Sequence, residues 1–286
     1  MSTAVAHSNL PRPEIHGHRG CRGLWPENTL PAFVHAVALG VDVLELDVVI
    51  SADNQVVVSH EPWFSAAICR LPNGALIDPA QELRHNLYQL TYAEIRQYDC
   101  GLTQHPRFPE QQPTPAYKPL LRDVIRRVEA QAKELGRRAL RYSVEIKTEP
   151  DGDNLFHPAP PEFVALVVAA LGEEGVLERT TLLSFDKRIL QQARLLIPKG
   201  PLCLLVEDGQ SLAHHLAELG FVPAVFGPDY TLLTPSLLHE VQALGLRLVP
   251  WTVNDVAAMQ QLVTLGVQGI TTDYPNRLRD VLNGQQ

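Results

Sequence analysis

Several things are scarce in this chain, and each scarcity narrows what it can be. No stretch approaches the roughly 20 consecutive apolar residues that a membrane-spanning helix needs. The opening residues, MSTAVAHSNLPRPEI, have neither a positive start nor a long apolar centre, so no secretory signal and no stable membrane insertion are expected. Basic residues are outnumbered: 24 Lys and Arg face 32 Asp and Glu, leaving a net charge of -8. A partner that is mainly nucleic acid normally meets a basic face, so that class is set aside. Cysteine is sparse too. Cys21, Cys69, Cys100 and Cys203 are scattered without metal-ligand spacing and are expected as free thiols in a reducing cytoplasm.

What the chain does have is apolar material and a rhythm. With 286 residues, 45% of them hydrophobic, it can bury a large core in one large domain or two ordinary ones. From about residue 140 a short apolar run, a loop and an amphipathic stretch repeat. Strands are expected at 141–146, 180–183, 202–206, 224–226, 246–251 and 269–271. Helices are expected at 161–175, 186–196, 210–220, from 234 to a closing Gly245, and at 255–266. Before residue 60 the same rhythm places strands at 14–17 and 43–50 around a helix at 29–40, capped by Asn28 or Thr29 with Pro31 in its first turn. Such alternation implies parallel strands with helical crossovers, and the number of units favours an α/β fold, a closed (β/α)8 TIM barrel. Val56-Val57-Val58 makes a ninth strand candidate for eight places, so one belongs to a hairpin or is misplaced. Residues 61 to about 118 break the rhythm and read as an insertion in one strand-to-helix loop, with a helix-like TYAEIRQY and a proline-rich HPRFPEQQPTPAYKP.

Chemistry gathers at the strand ends. Ile15-His16-Gly17-His18-Arg19-Gly20 releases a histidine and an arginine into a loop, a pairing suited to moving protons and binding anionic oxygens. In Val43 to Ile50, Glu45 and Asp47 are two apart and so share one face of an apolar strand. Buried parallel strands are nearly all aliphatic, so two inward carboxylates would repel unless a cation lies between them; the plainer alternative turns them to water. Val144-Glu145-Ile146-Lys147 adds a third acid. Three carboxylates form a hard-oxygen set suited to Mg²⁺ or Ca²⁺ rather than zinc. Lys147 is a candidate phosphate contact, or else a salt-bridge partner of Glu145 or Glu149. His60 ends VVVSH, and with His18 it supplies the parts for general acid–base cleavage of a phosphodiester. His16 is expected to pack or hydrogen-bond. His35, His85, His105, His157, His214, His215 and His239 are expected in loops or on helix surfaces.

HRGCRGLWPENTLPAF, ELDVVISADNQVVVSHEP, EIK, SFD, WTVND and GITTDYP, in this order, resemble the glycerophosphodiester phosphodiesterases across about residues 15 to 276. The resemblance implies one barrel domain over 1–286, with a small cap growing at 61–118. It implies hydrolysis of a small-molecule glycerophosphodiester to sn-glycerol 3-phosphate and an alcohol, with one divalent cation, Mg²⁺ or Ca²⁺. On the matching positions, His18 and His60 would be the acid–base pair and Arg19 and Lys147 the phosphate contacts. Glu45, Asp47 and Glu145 would hold the metal, and Phe185 and Trp251 would line the pocket for the alcohol groups. Two departures stand out: Glu61 where the family commonly has Asp, and Tyr117-Lys118-Pro119-Leu120 where it usually has Ile-Pro-Thr-Leu. The competing readings are a lysophospholipase D acting on a longer lipid and a catalytically silent binding barrel. Head group, Mg²⁺ against Ca²⁺, the division of labour between the histidines and oligomeric state stay open at this level.

Overall fold

A computed structural model describes residues 11–284. The stretch Met1 to Leu10, most of the segment from which the absence of a signal was expected, lies outside the described residues. In chain order the elements are β1 (Glu14–Gly17), α1 (Leu30–Leu39), β2 (Val43–Ile50), β3 (Val56–Val58), α2 (Tyr92–Ile95), α3 (Leu121–Glu134), β4 (Arg141–Ile146), α4 (Pro160–Glu173) and β5 (Thr180–Ser184). There follow α5 (Lys187–Leu196), β6 (Leu202–Val206), α6 (Leu212–Leu219), β7 (Val225–Pro228), α7 (Pro235–Ala243), β8 (Arg247–Leu248), α8 (Val256–Leu265), β9 (Gly269–Thr272) and α9 (Pro275–Asn283).

Eight strands run parallel in the order β8-β7-β6-β5-β4-β2-β1-β9, and β3 folds back antiparallel on β2. The ninth candidate is therefore a hairpin arm, as the five residues between Ile50 and Val56 require. Between β9 and β8 the barrel is nearly closed. Gln268 N–H donates to the Leu248 carbonyl, Thr271 N–H to Pro250 and Val253 N–H to Thr271, at 2.9–3.1 Å. Of the expected strand at 246–251 only Arg247–Leu248 is regular, although the Val249 and Trp251 N–H groups still donate to Phe226 and Pro228 of β7.

Period-two patterning explains the layers. Leu44, Leu46 and Val48 of β2 join the main core between barrel and helices, packed with Phe33, Val124, Tyr142 and Phe163. Burying each large aliphatic or aromatic side chain there contributes about 1.5–3 kcal/mol. Glu45 and Asp47 point the other way and are also buried, at 4% and 0% exposure, so the reading that turned them to water is excluded. Helix starts follow the caps: the hydroxyl of Thr29, not Asn28, accepts the Ala32 N–H, while Asp186, Ser211, Thr234 and Asp255 cap four later helices.

Residues 61–118 lie on the barrel with a small core of their own. Phe64, Ile68, Ile77, Leu87 and Ile95 pack there with Val49, Val57 and Leu120, and Phe64 stacks on Tyr98 at 3.8 Å. Two expectations change here. TYAEIRQY yields only the single turn α2, closed as a capping box by Thr91 and Glu94. Cys69 and Cys100, 31 positions apart, are joined as a disulfide, whereas Cys21 and Cys203 are buried free thiols. The folding of the insertion brings the two together, which spacing alone does not reveal, and thiol content no longer argues for a reducing compartment. Among the described residues no helix is long and apolar enough to cross a membrane.

Candidate active site

The loop after β1 is built to turn sharply. Gly20 has φ +85°, and a Cβ there would lie 2.9 Å from Ala32. Arg19 also takes a left-handed backbone, φ 49°, uncommon for a residue with a side chain and frequent at functional sites. This conformation lets the Arg19 N–H donate to Glu45 Oε2 at 2.8 Å. Its guanidinium is buried: Nη1 donates to Glu27 Oε1 at 2.7 Å, and Nε stands 3.2 Å from Asp47 Oδ2. Asn28, also at positive φ, donates to the same Asp47 oxygen at 2.9 Å.

Each of the two predicted histidines is braced by a carboxylate. His18 Nδ1 lies 2.6 Å from Asp273 Oδ1, and Arg22 Nε donates to that same oxygen at 2.9 Å. His60 Nδ1 lies 2.7 Å from Glu61 Oε1. In both rings Nδ1 is engaged, which leaves Nε2 for proton transfer. Glu61 therefore does with one more methylene what an aspartate could do. Burial raises it, yet the hydrogen bond from His60 and the charges of His60 and Lys118 hold it at about 2. Burial and the Arg22 charge push His18 down to about 4 against the pull of Asp273. Burial also raises Asp273, but His18 and Arg22 keep it well below the usual carboxylate range.

Glu45, Asp47 and Glu145 each offer an oxygen, and the three lie within 4.8 Å of one another. Their electrostatics are uneven. Burial, then Asp47 and Glu145, lift Glu45 well above the ordinary value, and burial lifts Glu145 as well. Burial works in the same sense on Asp47, but Arg19, His60, Lys147 and the Asn28 hydrogen bond outweigh it and keep the group ionised. Asp47 Oδ1 is buried without a hydrogen-bond partner. An orphaned, ionised oxygen facing two more carboxylates fits a hard cation, which would satisfy it and relieve the repulsion. Lys147 Nζ donates to Glu145 at 2.8 Å, so the salt bridge weighed from sequence is present; its ammonium also stands 5.6 Å from the centre of the Phe185 ring. Phe185 meets Trp251 edge to face at 5.3 Å.

All of the predicted site residues except Asp47 line one cavity of about 950 Å³, with Asp47 buried just behind Glu45 and Arg19. A model of the glycerophosphoryl diester phosphodiesterase family matches residues 18–277. The chain belongs to that family. It is therefore an enzyme of the phosphodiesterase class. A glycerophosphodiester phosphodiesterase of Caldanaerobacter subterraneus subsp. tengcongensis is 28% identical over 92% of this chain and 95% of its own. A lysophospholipase D of Rattus norvegicus is 28% identical over 93% of this chain and 85% of its own. Among solved structures, a Silicibacter pomeroyi DSS-3 protein provisionally assigned as a glycerophosphoryl diester phosphodiesterase superposes with TM-score 0.84 at 32% identity, covering 97% of this chain and 95% of that one. An Oleispira antarctica phosphodiesterase, solved with the product sn-glycerol-3-phosphate, superposes with TM-score 0.75 at 21% identity, covering 95% and 97%; this last likeness concerns the fold alone.

In this family member, several residues of the site went unassigned in the sequence. Asp273 directly follows β9, much as Glu145 stands near the end of β4, and a search of strand ends for acids would have found it. Glu27 and Asn28 lie inside the PENT motif, but Glu27 carried no role and Asn28 only that of a candidate helix cap. Arg22 holds both Asp273 and, at 3.8 Å, Glu27. His105 is buried 3.6 Å from Glu27 rather than exposed on its loop. His157 and His215 are likewise buried, the latter 3.0 Å from Asp208. His16 packs and hydrogen-bonds Glu14 at 3.3 Å, as expected.

Proposed function

We propose that this protein hydrolyses glycerophosphodiesters to sn-glycerol 3-phosphate and an alcohol. It does so with one divalent cation, Mg²⁺ or Ca²⁺, held by Glu45, Asp47 and Glu145. The observation that carries the reading is the convergence of that carboxylate trio with two carboxylate-braced histidines in one cavity. A bound cation supplies charge neutralisation at the non-bridging phosphate oxygens. Arg19 and Lys147 bind those oxygens from either side of the trio; Glu27 and Glu145 hold the two basic groups in place. One of His18 and His60 takes through Nε2, as the new P–O bond forms, the proton of an attacking water, or of the neighbouring glycerol hydroxyl with water then opening the resulting cyclic phosphate. The other donates its proton to the alkoxide as the old P–O bond breaks. Asp273 and Glu61 fix the tautomer and ring orientation each step needs. Phe185 and Trp251 exclude water beside the phosphate.

The cation-holding and acid–base roles stand on the same test. Release of glycerol 3-phosphate is followed across glycerophosphodiesters and lysophospholipids, with EDTA and then Mg²⁺ or Ca²⁺ restored. Turnover lost with EDTA and regained with one ion is the expected result, and turnover indifferent to EDTA would remove the cation from the scheme. The identity to the rat lysophospholipase D favours a second reading, in which the same chemistry acts on a longer lipid. Faster turnover of lysophospholipids than of glycerophosphodiesters would select it.

A further inference from the structure

The proline-rich end of the insertion lies on the loop that carries His18, and nothing in the reaction so far gives it a part. His105, Phe108 and Gln111 are buried although the segment is irregular. Proline locks φ at about −65°, so Pro106 and Pro109, on either side of Arg107-Phe108, stiffen the segment without a helix or strand. Each buried side chain meets the loop after β1. Gln111 Nε2 donates to the Arg22 carbonyl at 2.7 Å, and the Gln112 N–H donates to the Leu24 carbonyl at 2.9 Å. The Arg22 guanidinium lies over the Phe108 ring, its central carbon 4.8 Å from the ring centre. His105 Nε2 stands 3.6 Å from Glu27 Oε2, and its ring is 4.6 Å from that of Phe108. Behind these contacts the segment is tied down by the Cys69–Cys100 disulfide and by Arg70, whose Nε donates to Thr103 at 3.1 Å.

Arg22 links this segment to the chemistry. Its Nε and Nη2 donate to the two oxygens of Asp273 at 2.9 and 3.2 Å, and its own N–H donates to the His18 carbonyl at 3.3 Å. The oxygen that accepts from Nε is the one 2.6 Å from His18 Nδ1. A guanidinium fork makes both bonds only when its plane matches that of the carboxylate, so whatever fixes the plane fixes the brace. A ring against its face and a hydrogen bond to its backbone do this from outside the loop.

We propose that Phe108 and Gln111 of the insertion are positioning residues for His18: they hold Arg22, Arg22 holds Asp273, and Asp273 orients the imidazole. The proposal rests on the phosphodiesterase reading for what His18 does, and on geometry alone for the hold on Arg22. Phe108→Leu keeps apolar bulk without a ring face, and Gln111→Leu keeps most of the bulk without a donor. Each is made in the full chain and again in Arg22→Lys, which keeps the charge but loses the fork. kcat and KM are measured with glycerophosphocholine, and Tm checks folding. The Arg22 Nε–H resonance, assigned by its loss in Arg22→Lys, is followed by heteronuclear NMR. Each single substitution should lower kcat about tenfold while KM stays within about threefold, as expected of a displaced proton-transfer group rather than weakened substrate binding. In Arg22→Lys the same substitutions should lower kcat by less than about threefold, because the group they hold has gone. The Arg22 Nε–H signal should shift and exchange faster with solvent in both single variants. An unchanged kcat, a loss carried by KM, a loss undiminished in Arg22→Lys, or an unmoved Arg22 signal would overturn the proposal. If Phe108→Leu unfolds early, Gln111→Leu is the deciding variant. If the full chain hydrolyses no ester, the phosphodiesterase reading falls, and the Arg22 signal still decides whether the segment holds the guanidinium.

Discussion

Replacing Glu45 with Gln separates a cation site from a merely acidic pocket. The three carboxylate oxygens lie within 4.8 Å of one another. At an effective dielectric constant of about 20, two unit charges at that distance repel by about 3.5 kcal/mol. Glu45 has two such neighbours, and with burial they lift its carboxyl well above the usual range. Without a cation it therefore holds its proton more tightly than a free glutamate, which narrows its difference in charge from a glutamine. Glutamine also keeps the carbonyl that accepts the Arg19 N–H, now at 2.8 Å. The cation-free variant should accordingly differ from wild type by no more than about 1 kcal/mol. The cation-bound state differs more, because the variant has lost a charged ligand. A ligand present at 100 times its dissociation constant stabilises the folded state by about 2.7 kcal/mol, a rise of several degrees in Tm for a chain of this size. Thermal unfolding in EDTA, then in excess Mg²⁺ or Ca²⁺, reads both quantities. Wild type should gain those degrees and Glu45→Gln should gain almost none. The reasoning fails if the variant keeps the cation-induced rise. It fails equally if the cation-free variant loses more than about 3 kcal/mol, since Glu45 would then act as the counter-charge of Arg19.

Other perturbations follow from the same geometry. His18→Ala or His60→Ala should each lower kcat/KM by about 10²–10⁴-fold while the cation-induced rise in Tm persists, and near-normal turnover in either variant would refute its acid–base role. Lys118 is buried, its Nζ donates to Ser59 Oγ at 2.7 Å, and burial pushes it below the usual lysine range against the pull of Glu61 and Glu27. Lys118→Met should cost about 1 kcal/mol of transition-state positioning at His60, roughly fivefold in kcat, and unchanged kcat would confine Lys118 to a structural role. Burial raises Glu14, but its bonds to His16 and Arg141 and the charge of Arg247 bring it down to about 2. A depressed carboxylate contributes stability above its unfolded pKa of about 4.5 and loses it as the pH falls toward 2. Glu14→Gln should therefore cost about 1–2 kcal/mol in urea unfolding at pH 7, after allowance for solvent screening, and almost nothing near pH 2. Reducing Cys69–Cys100, 31 positions apart, should cost about 3–4 kcal/mol of loop-closure entropy, read as a lower Tm in dithiothreitol.

The fold was legible where local periodicity and burial agree. β4 and β6 begin and end where alternating or continuous apolar runs do, and Thr29 and Asp255 cap helices at the expected turns. It was less legible where a distant strand decides. β8 is regular over two residues only, its continuation being shared between β7, through Val249 and Trp251, and β9, through Pro250, and the disulfide depends on how residues 61–118 fold back. Spacing within one strand carries information about one face of that strand, which is why Glu45 and Asp47 could be paired from sequence.

The two histidine braces show how far such reasoning reaches. Glu61 is the next residue after His60, so a contact between them could be proposed from the chain alone. Asp273 is 255 positions from His18, and only the closing of the barrel, with β1 hydrogen-bonded to β9, brings them to 2.6 Å. That closure also sets the difference between the two sites. The His18 brace is held by Arg22 from the same loop and Asn254 from the neighbouring one, and is almost wholly buried. The His60 brace is more than a quarter exposed at both partners and stands on the insertion side, beside Lys118. Substitutions that tune substrate preference without destroying the barrel should therefore be tolerated around His60 and not around His18. Asp273→Asn removes the nearest buried counter-charge of both His18 and Arg22 and should lower stability as well as kcat. Glu61→Gln should lower kcat with little change in Tm. Equal losses of Tm in the two variants would show that burial does not separate the braces as argued.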